Sequence, residues 1–274
     1  MSIGKRGEKM LKYCSIGSGS SGNCHYVGYK DTNILVDAGL SGKRIATTLK
    51  DIEVEANKIK GIFITHEHSD HIKGAGILSR KFDIPIFANI KTWCSMKDKL
   101  GDIQDKNMKV FENDKTYSIG DIIIRPFSIE HDAADAVGYN FYTGNDEKMS
   151  IATDIGCITD NLKRHLYKSK LVVLESNYDH NMLMMGSYPY SLKKRVVSNT
   201  GHLSNEDAAN FCVDLIKEGT ESILLAHLSK ENNFPELAYE TSKGILSQND
   251  MFVGQDVKLD VLLRDSASHV YNLK

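Results

Sequence analysis

The chain has 274 residues, 41% hydrophobic and 26% charged, enough to bury a full core in one large domain or two small ones. Its 34 Lys and Arg against 36 Asp and Glu leave a net charge of −2, so no basic footprint marks a nucleic-acid or membrane binder. No apolar run approaches the roughly 20 residues of a membrane span, and an odd number of unpaired-looking cysteines suits reduced thiols rather than a disulfide framework.

The amino end, MSIGKRGEKM, carries cations with no apolar stretch behind them, which points away from a signal peptide and toward the cytoplasm. Residues 1–9 read as a loose extension. Residues 11–16 read as a strand, followed by a Gly/Ser loop through Asn23 whose glycines permit tight turns. Residues 24–29 and 33–37 form a hairpin pattern, and Ser41 is an N-cap for a helix to about residue 49. Residues 62–65 are apolar and β-branched, as in a buried strand. Beyond Thr65 the spacing turns helical at His71, Ile72, Ala75, Ile77 and Leu78.

Further strands are expected at 84–87, 108–111, 122–129, 137–143 and 149–153, with a helix over 90–99. A helix capped by Thr159 runs to about residue 168, then strand 171–174 and helices over 191–197 and 206–217, the latter capped by Ser204 with Asp207. Strand 223–228, a helix over 235–246 entered through Pro235, and strands 258–263 and 269–273 close the chain. With no repeat, low-complexity tract or long linker, residues 10–274 are expected to form a single domain. It would be an α/β, αββα sandwich of two mixed β-sheets flanked by helices.

The informative segment is Thr65-His66-Glu67-His68-Ser69-Asp70-His71. His66 and His68 are two apart and face one side of an extended backbone, while Asp70 and His71 turn toward a second point at a helix start. One short loop so offers two pairs of ligands for adjacent positions, as a two-metal site of roughly 3.5–4 Å spacing requires, and its imidazoles and carboxylate suit Zn²⁺, Mn²⁺ or Fe. A chance match to this pattern is on the order of one in a thousand. His131, Asp154 and His227 lie in or at the end of strand-like runs, where a scaffold presents side chains to a shared mouth. His25, His165, His180 and His269 sit in no motif, and Cys157 reads as a buried thiol rather than a ligand.

From Leu11 to about Asn233 the order of these residues resembles the metallo-β-lactamase fold superfamily. That resemblance implies His66, His68 and His131 on a first metal, Asp70, His71 and His227 on a second, Asp154 bridging, and Asp37 supporting the loop from behind. Three stretches, Cys14 to Asn23, Leu174-Glu-Ser-Asn-Tyr-Asp179 and Gly201-His-Leu-Ser-Asn205, together with 225–233, resemble the YycJ/WalJ/VicX group. The group implies metal-dependent 5′-to-3′ exonuclease activity on DNA and a link to a cell-wall two-component system.

Two metals bridged by a carboxylate can hold a hydroxide and stabilise an in-line displacement at phosphorus, with Asp70 among the catalytic residues. The departing oxygen still needs an acid. His202 resembles the histidine of the Gly-His-Ser loop in transfer-RNA 3′-processing nucleases, with Glu175 as its carboxylate partner. Expected phosphate contacts are Ser20, Ser21 and Asn23 on the glycine loop, and Lys193, Lys194 and Arg195; Tyr188 and Tyr190 are candidate stacking surfaces or core. Two divalent cations are the implied cofactor, Zn²⁺ or Mn²⁺ ahead of Fe, and nucleic acid, DNA ahead of RNA, the implied partner. The competing readings are an ester or thioester hydrolase on the same scaffold and a regulatory partner of the two-component system. Against a lactamase, position 71 is His and no Cys takes a ligand position; against a diiron redox role, position 68 is His.

Overall fold

The structure, a computed structural model, describes residues 10–144 and 147–273; the extension expected at 1–9 lies outside the described residues. One sheet holds β1 (Leu11–Gly17), β2 (Cys24–Tyr29), β3 (Thr32–Val36), β4 (Ile59–Phe63), β5 (Ile86–Asn89), β6 (Met108–Phe111) and the last strand, β14 (Tyr271–Leu273), in the order β14-β1-β2-β3-β4-β5-β6. The other holds β7 (Tyr117–Ile119), β8 (Ile122–Ser128), β9 (Val137–Tyr142), β10 (Lys148–Ala152), β11 (Leu171–Glu175), β12 (Ser222–Ala226) and β13 (Lys258–Val261), in the order β13-β12-β11-β10-β9-β8-β7. Both are mixed: β3 to β6 and β10 to β13 run parallel, and the remaining neighbours pair antiparallel.

The helices are α1 (Gly42–Asp51), α2 (Ser69–Ile72), α3 (Ala75–Phe82), α4 (Ile90–Leu100), α5 (Asp160–Leu166), α6 (His180–Met185), α7 (Tyr190–Val196), α8 (Asn205–Lys217) and α9 (Pro235–Gln248). Strand alternation sorts the apolar residues into three layers. Phe63, Tyr139 and Val173 meet between the sheets; Ile62 and Ile86 pack outward with Ile45, Leu78 and Trp93 of α1, α3 and α4. Val172 and Leu174 pack outward with Phe211 and Leu246 of α8 and α9. Covered on both faces, the central strands read as unbroken apolar runs rather than alternating ones. Each sheet is thus sheathed by helices, the αββα sandwich expected. Among the described residues no helix is long and apolar enough to cross a membrane.

Ser41, Thr159 and Ser204 cap their helices, each side chain accepting from the main-chain N–H three residues on. The helical spacing after Thr65 is split into α2 and α3 at Gly74, where a Cβ would stand 2.3 Å from the Leu40 carbonyl oxygen. The short strand β7 and helix α6 were not legible in the pattern. β12 ends at Ala226, so His227 stands beyond the strand and not within it.

Candidate metal centre

The strands of both sheets deliver their ends to one mouth. Asp37 follows β3, His66 to His71 follow β4, His131 follows β8, Asp154 follows β10, Glu175 ends β11 and His227 follows β12. Asp37, Asp154 and His227 have left-handed backbones, with φ of 59°, 60° and 57°. Asp and His are among the few non-glycine residues that tolerate this region, and in it each chain leaves its strand sharply. The main-chain N–H of His227 is held by the Ser18 hydroxyl at 2.9 Å. Gly39 lets the Asp70 turn close against the scaffold, since a Cβ there would meet the Asp70 carbonyl oxygen at 1.6 Å.

The ligand-type atoms of His66, His68 and His131 lie within 4.8 Å of one another, and so do those of Asp70, His71 and His227. His66, His71 and Asp154 form a third such group, which places Asp154 between the first two. The rings are oriented from behind. Asp37 Oδ2 accepts from His71 Nδ1 at 2.7 Å and from the Thr65 hydroxyl at 2.9 Å, while Oδ1 accepts from the Thr65 N–H at 2.8 Å. The Thr65 oxygen in turn accepts from His66 Nδ1 at 3.0 Å, and the Gly201 carbonyl accepts from His131 Nδ1 at 3.1 Å. With Nδ1 tied, Nε2 is left as the lone-pair side of each ring.

The His71 Nε2 meets the Asn23 amide at 3.2 Å, but for the other rings nothing among the described residues answers the lone pair. His66 Nε2, His131 Nε2, His227 Nε2 and Asp154 Oδ2 are buried and have no hydrogen-bond partner. Each buried orphan costs on the order of 1–3 kcal/mol, and four of them in overlapping clusters of ligand-type atoms fit a cation. Electrostatics agree. Burial, then His71, His131 and His68, push His66 well below the ordinary imidazole range, so its lone pair is free at neutral pH. Burial alone would depress His227, but Asp154, Asp70 and Glu175 drive it up to about 10, and Asp37, Asp154 and Asp70 likewise overcome burial to raise His71. The carboxylate field that would hold protons there favours a divalent cation competing for the same nitrogens. The donor set therefore fits divalent metal, with neutral imidazoles on one side and a carboxylate-rich pocket on the other.

Glu175 is fully buried and saturated. Its Oε1 accepts from His202 Nδ1 at 2.9 Å and His227 Nδ1 at 2.8 Å; its Oε2 accepts from the Ile155 and Leu203 N–H groups at 2.8 and 3.1 Å. Burial would raise its pKa, but the two imidazoles hold it below the usual carboxylate range. For His202, burial is outweighed by Glu175 and Asp154, and its pKa rises. Glu175 with His202, His227 and Asp154 is a fourth cluster of ligand-type atoms, but four donors already fill the carboxylate. A glutamine that keeps its oxygen on the Ile155 and Leu203 N–H groups turns its NH₂ on the two imidazoles. That NH₂ must either meet their N–H groups or force both rings into the other tautomer. Glu175→Gln is expected to lose about 3–5 kcal/mol of stability, a fall in midpoint on the order of 10 °C by thermal unfolding. An unmoved midpoint would refute that arrangement.

Asn23 is not available to phosphate, and Lys193 has two of its three N–H donors committed. Asn23 is fully buried, its amide bonded to Gly19 N at 2.9 Å, Gly19 O at 3.1 Å and His71 Nε2 at 3.2 Å. The Lys193 ammonium donates to the Met184 and Gly186 carbonyls at 2.7 and 2.8 Å. Ser20 and Ser21 are exposed on the loop. Arg195 pairs in two-pronged fashion with Asp132, the residue after His131, and Lys194 lies over the Tyr190 ring. Tyr188 packs with Tyr178 and Leu183, whereas Tyr190 is exposed; Cys157 is only partly buried and belongs to none of the four clusters.

The spacing did not reveal several supports. Glu67 accepts from the Ala134 N–H at 2.8 Å and straps the histidine loop to the His131 loop; its only signal is its place inside the motif. Asn177 donates to the His227 carbonyl at 2.8 Å, and Asn205 and Asn233 bond each other and Ser176 behind Glu175. These are the residues of the stretches 174–179, 201–205 and 225–233, which form one buried polar network.

Residues 32–228 match the beta-lactamase superfamily domain. The exodeoxyribonuclease YycJ of Bacillus anthracis is 42% identical over 245 residues, covering 89% of this chain and 92% of that protein. The exodeoxyribonuclease WalJ of Streptococcus pneumoniae is 40% identical over 260 residues, covering 94% and 96%. Among solved structures, the metallo-β-lactamase fold protein YhfI of Bacillus subtilis superposes with a TM-score of 0.72 at 16% identity, over 96% of this chain and 100% of that one.

Proposed function

The chain belongs to the metallo-β-lactamase superfamily, in the group of the exodeoxyribonucleases YycJ and WalJ, and from that premise we propose how it acts as a metal-dependent nuclease. The substrate is DNA ahead of RNA, degraded 5′ to 3′. Two divalent cations, Zn²⁺ or Mn²⁺ ahead of Fe, would be held by His66, His68 and His131 and by Asp70, His71 and His227, with Asp154 shared. When bound they supply Lewis acidity, making water a competent nucleophile at neutral pH and neutralising charge on the phosphate. The observation carrying this reading is the convergence of four buried, partnerless ligand atoms beside the Glu175–His202 pair.

The protein's own groups do the rest. Asp37, Thr65 and the Gly201 carbonyl fix the imidazole faces, so no reorientation is needed during reaction. His202, with Nδ1–H committed to Glu175, keeps Nε2 as the outward edge of a ring only partly exposed. Glu175 and Asp154, outweighing burial, raise its pKa and so favour the protonated form that a donor to the departing oxygen needs. The family resemblance implies a link to a cell-wall two-component system, and five free cysteines suit a cytoplasmic setting.

The test is chelation and reconstitution on end-labelled DNA. EDTA-treated protein is expected to lose hydrolysis and to unfold at lower temperature; Mn²⁺ or Zn²⁺ should restore both, with about two ions per chain by elemental analysis. Turnover of a thioester with no cleavage of DNA or RNA would overturn the nuclease reading.

A further inference from the structure

Between the end of β11 and the start of α8 the chain makes an excursion over the mouth of the site. From His180 to Asn205 it carries no Asp or Glu, though the chain as a whole has 36. Lys193, Lys194 and Arg195 fall in this acid-free stretch, on a protein whose net charge is −2. The stretch is joined to the site at two points. The His202 N–H donates to the Val196 carbonyl at 2.9 Å, and Arg195 grips Asp132, whose Oδ1 lies 3.3 Å from His131 Nε2.

Its outer face is unusual for a small excursion. Tyr190 is 72% exposed and Met185 89% exposed. Lys194, one helical turn on, sits over the Tyr190 ring at 4.9 Å from its centroid, so one ring face is braced by a cation and the other is open. Lys193 stitches the end of α6 to α7 through the Met184 and Gly186 carbonyls, on either side of the exposed Met185. Arg195 spends Nε and one terminal nitrogen on Asp132 and keeps further donors for an oxyanion.

We propose that the α6–α7 face is a strand-entry platform for single-stranded nucleic acid, with an unpaired base stacked on Tyr190 and backbone phosphates on Lys194 and Arg195. The proposal rests on the nuclease reading and specifies the form of substrate that the site prefers. Every base has a π-face, so such a platform tolerates any sequence, and a paired base cannot use it without leaving its stack. Along α7, Tyr190 and Lys194 share one face. Arg195 lies about 8 Å of rise and about 140° of rotation beyond Tyr190, on the side that grips Asp132. A strand passing Tyr190 so turns around the helix toward the site within roughly two nucleotides. Locally supplied charge also reconciles a polyanionic substrate with an overall acidic chain.

The experiment compares wild type, Tyr190→Ala, Tyr190→Phe and Lys194→Gln as metal-loaded full-length protein. The probes are a labelled single-stranded oligonucleotide, the blunt duplex of the same sequence, and bis(p-nitrophenyl) phosphate. Tyr190→Ala is expected to raise the single-strand Kd and KM about tenfold, and to lower the ratio of single-strand to small-ester kcat/KM by the same factor. Tyr190→Phe should restore both, and Lys194→Gln should flatten the salt dependence of binding by about one unit of slope. Unchanged single-strand affinity in Tyr190→Ala, or equal losses on the oligonucleotide and the small ester, would overturn the platform. Tyr190-dependent binding without cleavage of any nucleic acid would leave the platform standing and bring down the nuclease reading.

Discussion

His68→Ala is expected to strip the first cation position and lower DNA hydrolysis by about 10³-fold or more, the scale of losing several kcal/mol of Lewis-acid stabilisation. This variant is the clean test of the metal centre. Among the described residues the His68 imidazole has no hydrogen-bond partner; its ring stands 4.5 Å from that of His66 and 5.2 Å from that of His131. Removing it therefore takes away a ligand and little else. The chelated variant should unfold within about 1 kcal/mol of chelated wild type, while elemental analysis shows reduced metal. Replacing His66 or His71 would confound the two effects, since each also anchors Thr65 or Asp37. Full metal content with full activity in His68→Ala would remove this histidine from the centre.

His202→Ala should do the opposite, keeping its metals and slowing cleavage by roughly 10²–10⁴-fold. The distinction follows from the hydrogen bonds. His202 Nδ1 is given to Glu175, which still accepts from His227, Ile155 and Leu203 when His202 is gone, so the second ligand cluster keeps its support. What is lost is a protonated ring at the mouth. The loss should be smaller on a substrate with a good leaving group, such as bis(p-nitrophenyl) phosphate, whose departing oxygen needs no proton. Metal loss in His202→Ala would move this residue into the ligand set and end its assignment as the acid.

The site was more legible than its supports, for a physical reason. Ligands must be a particular few residue types at spacings set by strand and loop geometry, so His66, His68, Asp70 and His71 announce themselves locally. His131, Asp154, Glu175, His202 and His227 came through order along the chain and resemblance, because their convergence is a tertiary fact. Asn23 and Lys193 misled for the same reason. An amide on a glycine loop and a lysine in a basic run look free in sequence, but the amide is consumed and the ammonium largely engaged by carbonyls or rings that only folding brings near. Helix α6 went unread because six residues of His-Asn-Met-Leu-Met-Met carry too little periodicity, and only Asp179 capping Met182 N–H marks its start. The central strands were read well because burial on both faces makes each a compact apolar run, whereas β7, a half-buried edge strand, was not.

The left-handed residues at the ends of β3, β10 and β12 set stability against function. Asp37, Asp154 and His227 each hold a backbone conformation that glycine would adopt at lower cost, by about 1 kcal/mol. Under selection for robustness alone, Asp154 would drift toward glycine, dismantling the centre while making the scaffold firmer. Asp37 and His227, in contrast, also hold Thr65, His71 and Glu175 through buried hydrogen bonds. That the chain carries two aspartates and a histidine there instead is a recurring expense, met by the Ser18 hydroxyl behind His227 and the Thr65 contacts around Asp37. A thermostabilised descendant that has lost its chemistry should therefore bear its scars at strand ends, not in its core.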